Sequence, residues 1–361
     1  MKILIDIGHP AHVHYFRNFI KIMESKGHEI RITARDKDVT VKLLNFYNLP
    51  FFNRGKGSKT AVGKILYIIK ADWKIYKFSK HIKPDVFLSF GSPYASHVAK
   101  VMGKPHVAFT DTEAANLTML FYKPFTELIA TPEVFTKNLG VKQIRFKGIM
   151  DLAYLHPNYF HANTSIREYL GLDINTPYFV LRFVAWEASH DIGEGGMSDI
   201  GKLHLIESLS KYGRVFITSE NKLSDDLSKY QLKIQPEQMH DVLASSDLYF
   251  GESPTMATES AICGVPAVLV SSWADEAGVV KQLVSEKMVL SYKPEKEKEA
   301  INKAIEIVTS DKSKNDWIKR KDEFIKKNID LTAFMVWLIE NYPKSKEIII
   351  KDPNYQQKFF G

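Results

Sequence analysis

Residues 247–270 read DLYFGESPTMATESAICGVPAVLV, and the fold class follows from this stretch. Asp247–Phe250 is an apolar strand end, and Gly251 allows a sharp backbone turn. Ser253 is a good helix N-cap. Pro254 then takes the first helical position, where a missing N–H costs nothing. Gly264 stands where a left-handed C′ residue belongs, Pro266 ends the helix, and Val265–Val270 reads as a second buried strand. Such a unit puts a helix N-terminus at the carboxyl end of a parallel strand. Its free N–H groups and partial positive charge attract phosphate. Ser253 and Thr255 add hydroxyls, and Glu259 further along is placed to accept from ribose hydroxyls. The plain alternative is a well-capped βαβ unit that binds nothing.

Outward from this stretch the pattern repeats. Lys2–Ile7, Glu29–Ala34, Leu49–Phe52, Asp85–Ser89, Pro105–Phe109, Leu128–Thr131, Gln143–Lys147, Tyr178–Phe183 and Arg214–Ser219 read as strands. Helical segments alternate with them, among them Val13–Lys26, Asp38–Tyr47, Tyr94–Met102 and Lys202–Lys211. This alternation predicts a doubly wound parallel sheet with ligands beyond the strand carboxyl ends. A length of 361 residues suggests two domains, and Gly148–Pro157 has the small residues and proline of a hinge. The expected division is 1–155 and 156–330, followed by a terminal segment 331–361. One cysteine, Cys263, excludes an internal disulfide framework, suits a reducing compartment and reads as a core residue. Met1–Ile7 is a strand start with Asp6 inside it, not a signal peptide, and no apolar run approaches a membrane span. The expectation is a cytoplasmic protein.

Several strand ends carry chemistry. His9, His12 and His14 lack the i, i+4 pairing of a helical zinc site and have no cysteine or acid close in sequence, which disfavours a metal. They read instead as acid/base or phosphate-contacting groups, or as surface histidines near a helix start. Asp111 and Glu113 follow the strand 105–109 and are candidates for a catalytic base, or for a capping acid pair. The glycine-containing loop after Tyr178–Phe183 holds Trp186, Ser189 and His190, which with Arg182 are candidates to face a ligand. Segment 54–83 carries nine Lys or Arg and one acid, Asp72, with Trp73 and Tyr76 among the lysines. It reads as an amphipathic helix packed on the core with a solvated lysine face, as a helix lying on an anionic membrane, or as a contact for a phosphorylated acceptor. The aromatics fall in the apolar stripe and no recognition motif is present, so nucleic acid is set aside as a partner.

The central stretch resembles the nucleotide-sugar site of the GT-B superfamily, through Gly251, Thr255, Met256, Glu259, Gly264 and Pro266. The chain is identified as a member of a prokaryotic domain-of-unknown-function family there, similar to both the UDP-GlcNAc 2-epimerases and the GlcNAc transferase that completes lipid II. The resemblance implies two Rossmann-like domains facing a central cleft, with residues 331–341 returning to the first. It implies His12 as the histidine that ends a glycine-rich first turn, Glu113-Ala114 as an epimerase-like Glu-Ala, and Asp275 and Glu276 as sugar or ribose contacts, helix-start charge being the alternative for the last two. Three departures stand out. Ser253-Pro254 replaces a paired glycine, and Gly91-Ser92-Pro93 replaces the Gly-Asp-Thr that carries an epimerase acid. No His-Arg-Arg follows the second domain's first strand. The implied activity is a metal-independent glycosyltransferase whose nucleotide diphosphate sugar is a substrate and not a cofactor, working in cell-surface polysaccharide or glycolipid synthesis. Its acceptor is unidentified, a lipid-linked one being a candidate, and segment 54–83 would meet the inner membrane face. An epimerase or hydrolase, and a non-catalytic sugar-nucleotide binder, are the alternatives.

Overall fold

The structure is a computed structural model that describes residues 1–58, 60–183, 196–219, 223–272, 277–310 and 313–360. Asp275, Glu276, Trp186, Ser189 and His190 lie outside the described residues. The chain forms two compact units, residues 1–159 with 328–361, and residues 160–327.

The first unit is built on seven parallel strands: β1 (Lys2–Ile7), β2 (Glu29–Arg35), β3 (Phe51–Gly55), β4 (Val86–Phe90), β5 (His106–Phe109), β6 (Leu128–Pro132) and β7 (Gln143–Phe146). They lie in the order β3-β2-β1-β4-β5-β6-β7. β1 lies inside the sheet between β2 and β4, and its run Ile3-Leu4-Ile5 is wholly buried, as a strand covered on both faces requires. Helices Ala61–Ile82 and Pro93–Val101 cover one part of the sheet, packing Ile75, Ala95, Val98 and Ala99 against Leu4 and Phe87. Helix Leu331–Glu340 belongs to this unit and is pinned to it by Thr332, whose hydroxyl donates to the Ala153 carbonyl at 2.8 Å. Phe334 packs its ring near Phe146.

The second unit has five parallel strands: β8 (Tyr178–Phe183), β9 (Arg214–Ser219), β10 (Leu248–Gly251), β11 (Ala267–Val270) and β12 (Val289–Tyr292), in the order β12-β11-β10-β8-β9. Its core gathers Phe179, Leu181, Leu248, Phe250, Val268 and Val270 with Ile301 and Ala304 of helix Glu297–Val308. Each sheet reverses its winding direction once, next to β1 in the first unit and next to β8 in the second. Those are the positions where a doubly wound fold opens a crevice beyond its strand ends.

Candidate functional site

The second unit's reversal lies between β8 and β10, and β10 runs into helix Pro254–Ile262. Ser253 caps that helix, its hydroxyl accepting from the Met256 N–H at 3.4 Å, with Pro254 in the first turn. Gly264 follows the helix at φ +78°, the left-handed value expected of it. Cys263 is the half-buried C-cap and not a core residue.

Gly251 is needed for a reason other than the expected turn. Its φ lies outside the left-handed region, but a Cβ there would stand 2.6 Å from the Arg182 carbonyl oxygen and 2.7 Å from the Tyr249 hydroxyl. Close approach of β8 excludes any side chain, and the helix start is thereby drawn against the end of β8. The Tyr249 hydroxyl then donates to the Ser253 carbonyl at 3.1 Å. Of the first-turn amides, Pro254 has no N–H, Met256 serves the cap and Ala257 closes on the Ser253 carbonyl. Thr255 keeps its N–H at a position with no intrahelical acceptor, and its side chain is exposed. This helix start therefore offers fewer amides to a diphosphate than a paired-glycine turn would.

Glu259 and Met256 are buried, as is the whole run Met256–Ile262. One Glu259 oxygen lies 3.1 Å from His240 Nε2, on helix Met239–Ser245, so an imidazole orients the carboxylate. Arg182, at the end of β8, donates to the Thr218 hydroxyl on β9 at 2.8 Å. Beside Gly251 is Glu252, which the sequence reading passed over. It is buried, accepts from the Met197 N–H at 2.9 Å and lies 3.5 Å from the buried Lys202 ammonium.

At the first unit's reversal the centre is Asp6, fully buried at the end of β1. It accepts from the Thr33 hydroxyl at 2.7 Å, from Arg54 Nε at 3.0 Å and Nη2 at 3.3 Å, and from the Ser92 hydroxyl at 2.5 Å. Arg54 is 1% exposed, donates from Nη1 to the Tyr67 hydroxyl at 2.6 Å and lies over the Tyr94 ring. Arg54 therefore does not belong to the basic surface to which its place in segment 54–83 had assigned it. An acid inside the apolar run KILIDI was the sequence signal for this pair, since a buried carboxylate requires a partner.

His12 sits in the first turn of helix Pro10–Ser25, with its ring 4.9 Å from that of Phe90 and 5.9 Å from that of His9. The Gly8 N–H donates to its Nδ1 at 3.2 Å, which assigns the ring proton to Nε2. Burial, then the charges of His9, Lys37 and Arg54, hold its pKa well below 6.5. The ring is a neutral donor at physiological pH and a weak proton acceptor. His9 caps the same helix by accepting from the Ala11 N–H, and His14 packs among Tyr47 and Tyr154. Among the described residues, no three His, Cys, Asp or Glu side chains gather as a metal site.

Asp111 and Glu113 follow β5 and differ in their surroundings. Burial raises the Asp111 carboxyl to about 6, with the Thr112 hydroxyl opposing and Glu113 adding to the rise. Glu113 is buried and accepts from the Thr136 N–H at 3.3 Å, which anchors its loop to the segment after β6. Asp111 thus has the proton affinity of a base working near neutrality.

Comparison with known proteins identifies the fold and the family. An uncharacterized protein of Methanocaldococcus jannaschii is 27% identical over 298 residues, 79% of this chain and 85% of that one. The crystal structure of the Neisseria meningitidis UDP-GlcNAc 2-epimerase bound to UDP-GlcNAc superposes with a TM-score of 0.65 at 12% identity, over 97% of this chain and 99% of that one. MurG of Acinetobacter baumannii gives 0.56 at 16% identity, over 94% and 99%. At these identities the likeness is one of fold, and the fold is that of the GT-B class. The family model for a protein of unknown function, DUF354, matches residues 1–337, and the chain belongs to that family.

Proposed function

We propose that this protein is a glycosyltransferase that uses a nucleotide diphosphate sugar in making a surface polysaccharide or glycolipid. The observation that carries the reading is the second unit's strand end. There Gly251 excludes a side chain so that a capped helix start, with the Thr255 amide, lies beside Arg182, and a His240-oriented Glu259 follows on the same helix. Diphosphate takes the helix start and ribose takes Glu259. In the reaction an acceptor hydroxyl oxygen bonds to the sugar's anomeric carbon, the bond from that carbon to the diphosphate oxygen breaks, and the diphosphate leaves with the electron pair. The acceptor proton passes to a carboxylate, and Asp111 is the one whose proton affinity fits. Helix-end charge and Arg182 meet the leaving diphosphate, so the reaction needs no metal.

Pro254 favours a second reading, a binder that holds sugar nucleotides without turning them over, because it removes one amide from the diphosphate's reach. Product analysis separates the possibilities. A transferase releases nucleoside diphosphate only when an acceptor extract is supplied, and does so in EDTA. An isomerised sugar nucleotide or free sugar would replace this reading by an epimerase or a hydrolase. No product with any sugar nucleotide, despite binding, would leave the binder.

A further inference from the structure

Helix Ala61–Ile82 has apolar residues on two faces. Tyr67, Ala71 and Ile75 are buried on the sheet side, while Leu66, Ile69 and Trp73 are 61%, 64% and 60% exposed. Short helix Asn116–Tyr122 repeats this, with Leu117 and Leu120 68% and 70% exposed and Phe121 partly so. One imidazole joins the two elements. His97 Nδ1 lies 2.9 Å from Asp72, and its Nε2 lies 2.9 Å from the Phe121 carbonyl oxygen. Asp72 stands on its helix between Ile69 and Tyr76 and next to Trp73, so one imidazole bridges the two elements beside their apolar residues. Phe125 packs edge-on against the same ring.

We propose that these two elements form one membrane-docking surface, whose occupant is an anionic bilayer. The charge pattern selects that occupant. Lys70, Lys77 and Lys80 are exposed on the same helix, and Lys77 lies over the Trp73 ring at 5.2 Å. The helix's one acid, Asp72, is held by His97. A second copy docked symmetrically would set lysine against lysine, whereas anionic headgroups neutralise them while the leucines and Trp73 enter the acyl boundary. The surface is read from exposure and charge alone, so it stands or falls separately from the sugar-nucleotide reading, although a lipid-linked acceptor would be met there.

The test is flotation of the full chain with vesicles of phosphatidylcholine, alone or with roughly one part in three phosphatidylglycerol. The wild type should float with the anionic vesicles, lose most of that binding at high salt, and ignore neutral ones. Leu117→Ser with Leu120→Ser, and separately Ile69→Ser with Trp73→Ser, should each weaken binding roughly tenfold. All four positions are solvent-exposed, so the fold is kept, and an unchanged far-UV spectrum checks it. Failure of the wild type to float, or unchanged flotation of the 117/120 variant, overturns the proposal. So does a concentration-dependent dimer that both variants abolish, since that would identify a second copy as the occupant.

Discussion

The two units wind their sheets alike yet finish the strand ends at their reversals in opposite ways. The first closes the end of β1 with charge: a carboxylate, a guanidinium and hydroxyls from three neighbouring segments, all buried. The second closes the end of β10 with the absence of a side chain, so that two backbones touch and a helix start stays open. Topology fixes where a crevice lies, but side chains decide whether it is a structural knot or a place for a ligand. At the first edge the proposed chemistry falls to His12 and Asp111, outside the buried pair. At the second it stays on the backbone.

Breaking the knot should have the largest effect. Asp6→Asn or Arg54→Met leaves the other group charged or unpaired in the interior, and should lower stability by about 3–5 kcal/mol in denaturant unfolding. The double variant should regain a substantial part of that loss. Equal losses that simply add would mean that the two groups do not act as a pair.

Asp111→Asn should reduce transfer by roughly 100-fold or more while leaving nucleotide binding intact. The base must be ionised, so the wild-type rate should rise with pH and level off above about 6. The variant should lack that limb. The same carboxyl carries a folded pKa above its ordinary 3.8, so its contribution to folding is fully present in acid and is lost as pH rises through about 6. The variant should therefore melt higher than the wild type at neutral pH. An active variant with the same pH limb would remove Asp111 from the mechanism.

Gly251→Ala tests the second edge. The new methyl meets backbone at 2.6 Å, so a cost of about 1–3 kcal/mol is expected together with loss of sugar-nucleotide affinity. The smallest effect belongs to His97→Asn, which should cost about 1 kcal/mol through the lost contacts to Asp72 and Phe121. The Asp72 hydrogen bond, against opposing burial, raises the His97 pKa. The wild-type advantage should thus be full below about 6.5 and fade as pH climbs past the raised value. An advantage that grows with pH would contradict the assignment.

What was legible in the sequence was local. Continuous apolar runs marked β1, β4, β8 and β10, and Ser253-Pro254 and Gly264 marked a helix at both ends, because caps and buried strands are written in neighbouring residues. The reading failed where the partner is distant. Arg54 looks like one more cation of a basic segment until Asp6, 48 residues earlier, is folded against it. Trp73 reads as part of one apolar stripe, facing either the core or a membrane, but the helix is apolar on both sides and periodicity cannot choose between them; Tyr67, Ala71 and Ile75 took the sheet. β12 went unread because its four residues owe their extended form to pairing with β11. Gly251 was identified for the wrong reason, since a close approach between strands leaves no trace in the residues beside it.

The central claim is that the second unit's strand end binds a nucleotide diphosphate. Calorimetric titration of the wild type and of Glu259→Ala with UDP, GDP, dTDP, CMP and UDP-GlcNAc tests it most directly. Saturable binding of one diphosphate and its sugar nucleotide is expected, weakened by at least roughly tenfold in the variant through loss of the ribose contact. No heat of binding with any of them, or equal affinity in the variant, would contradict it.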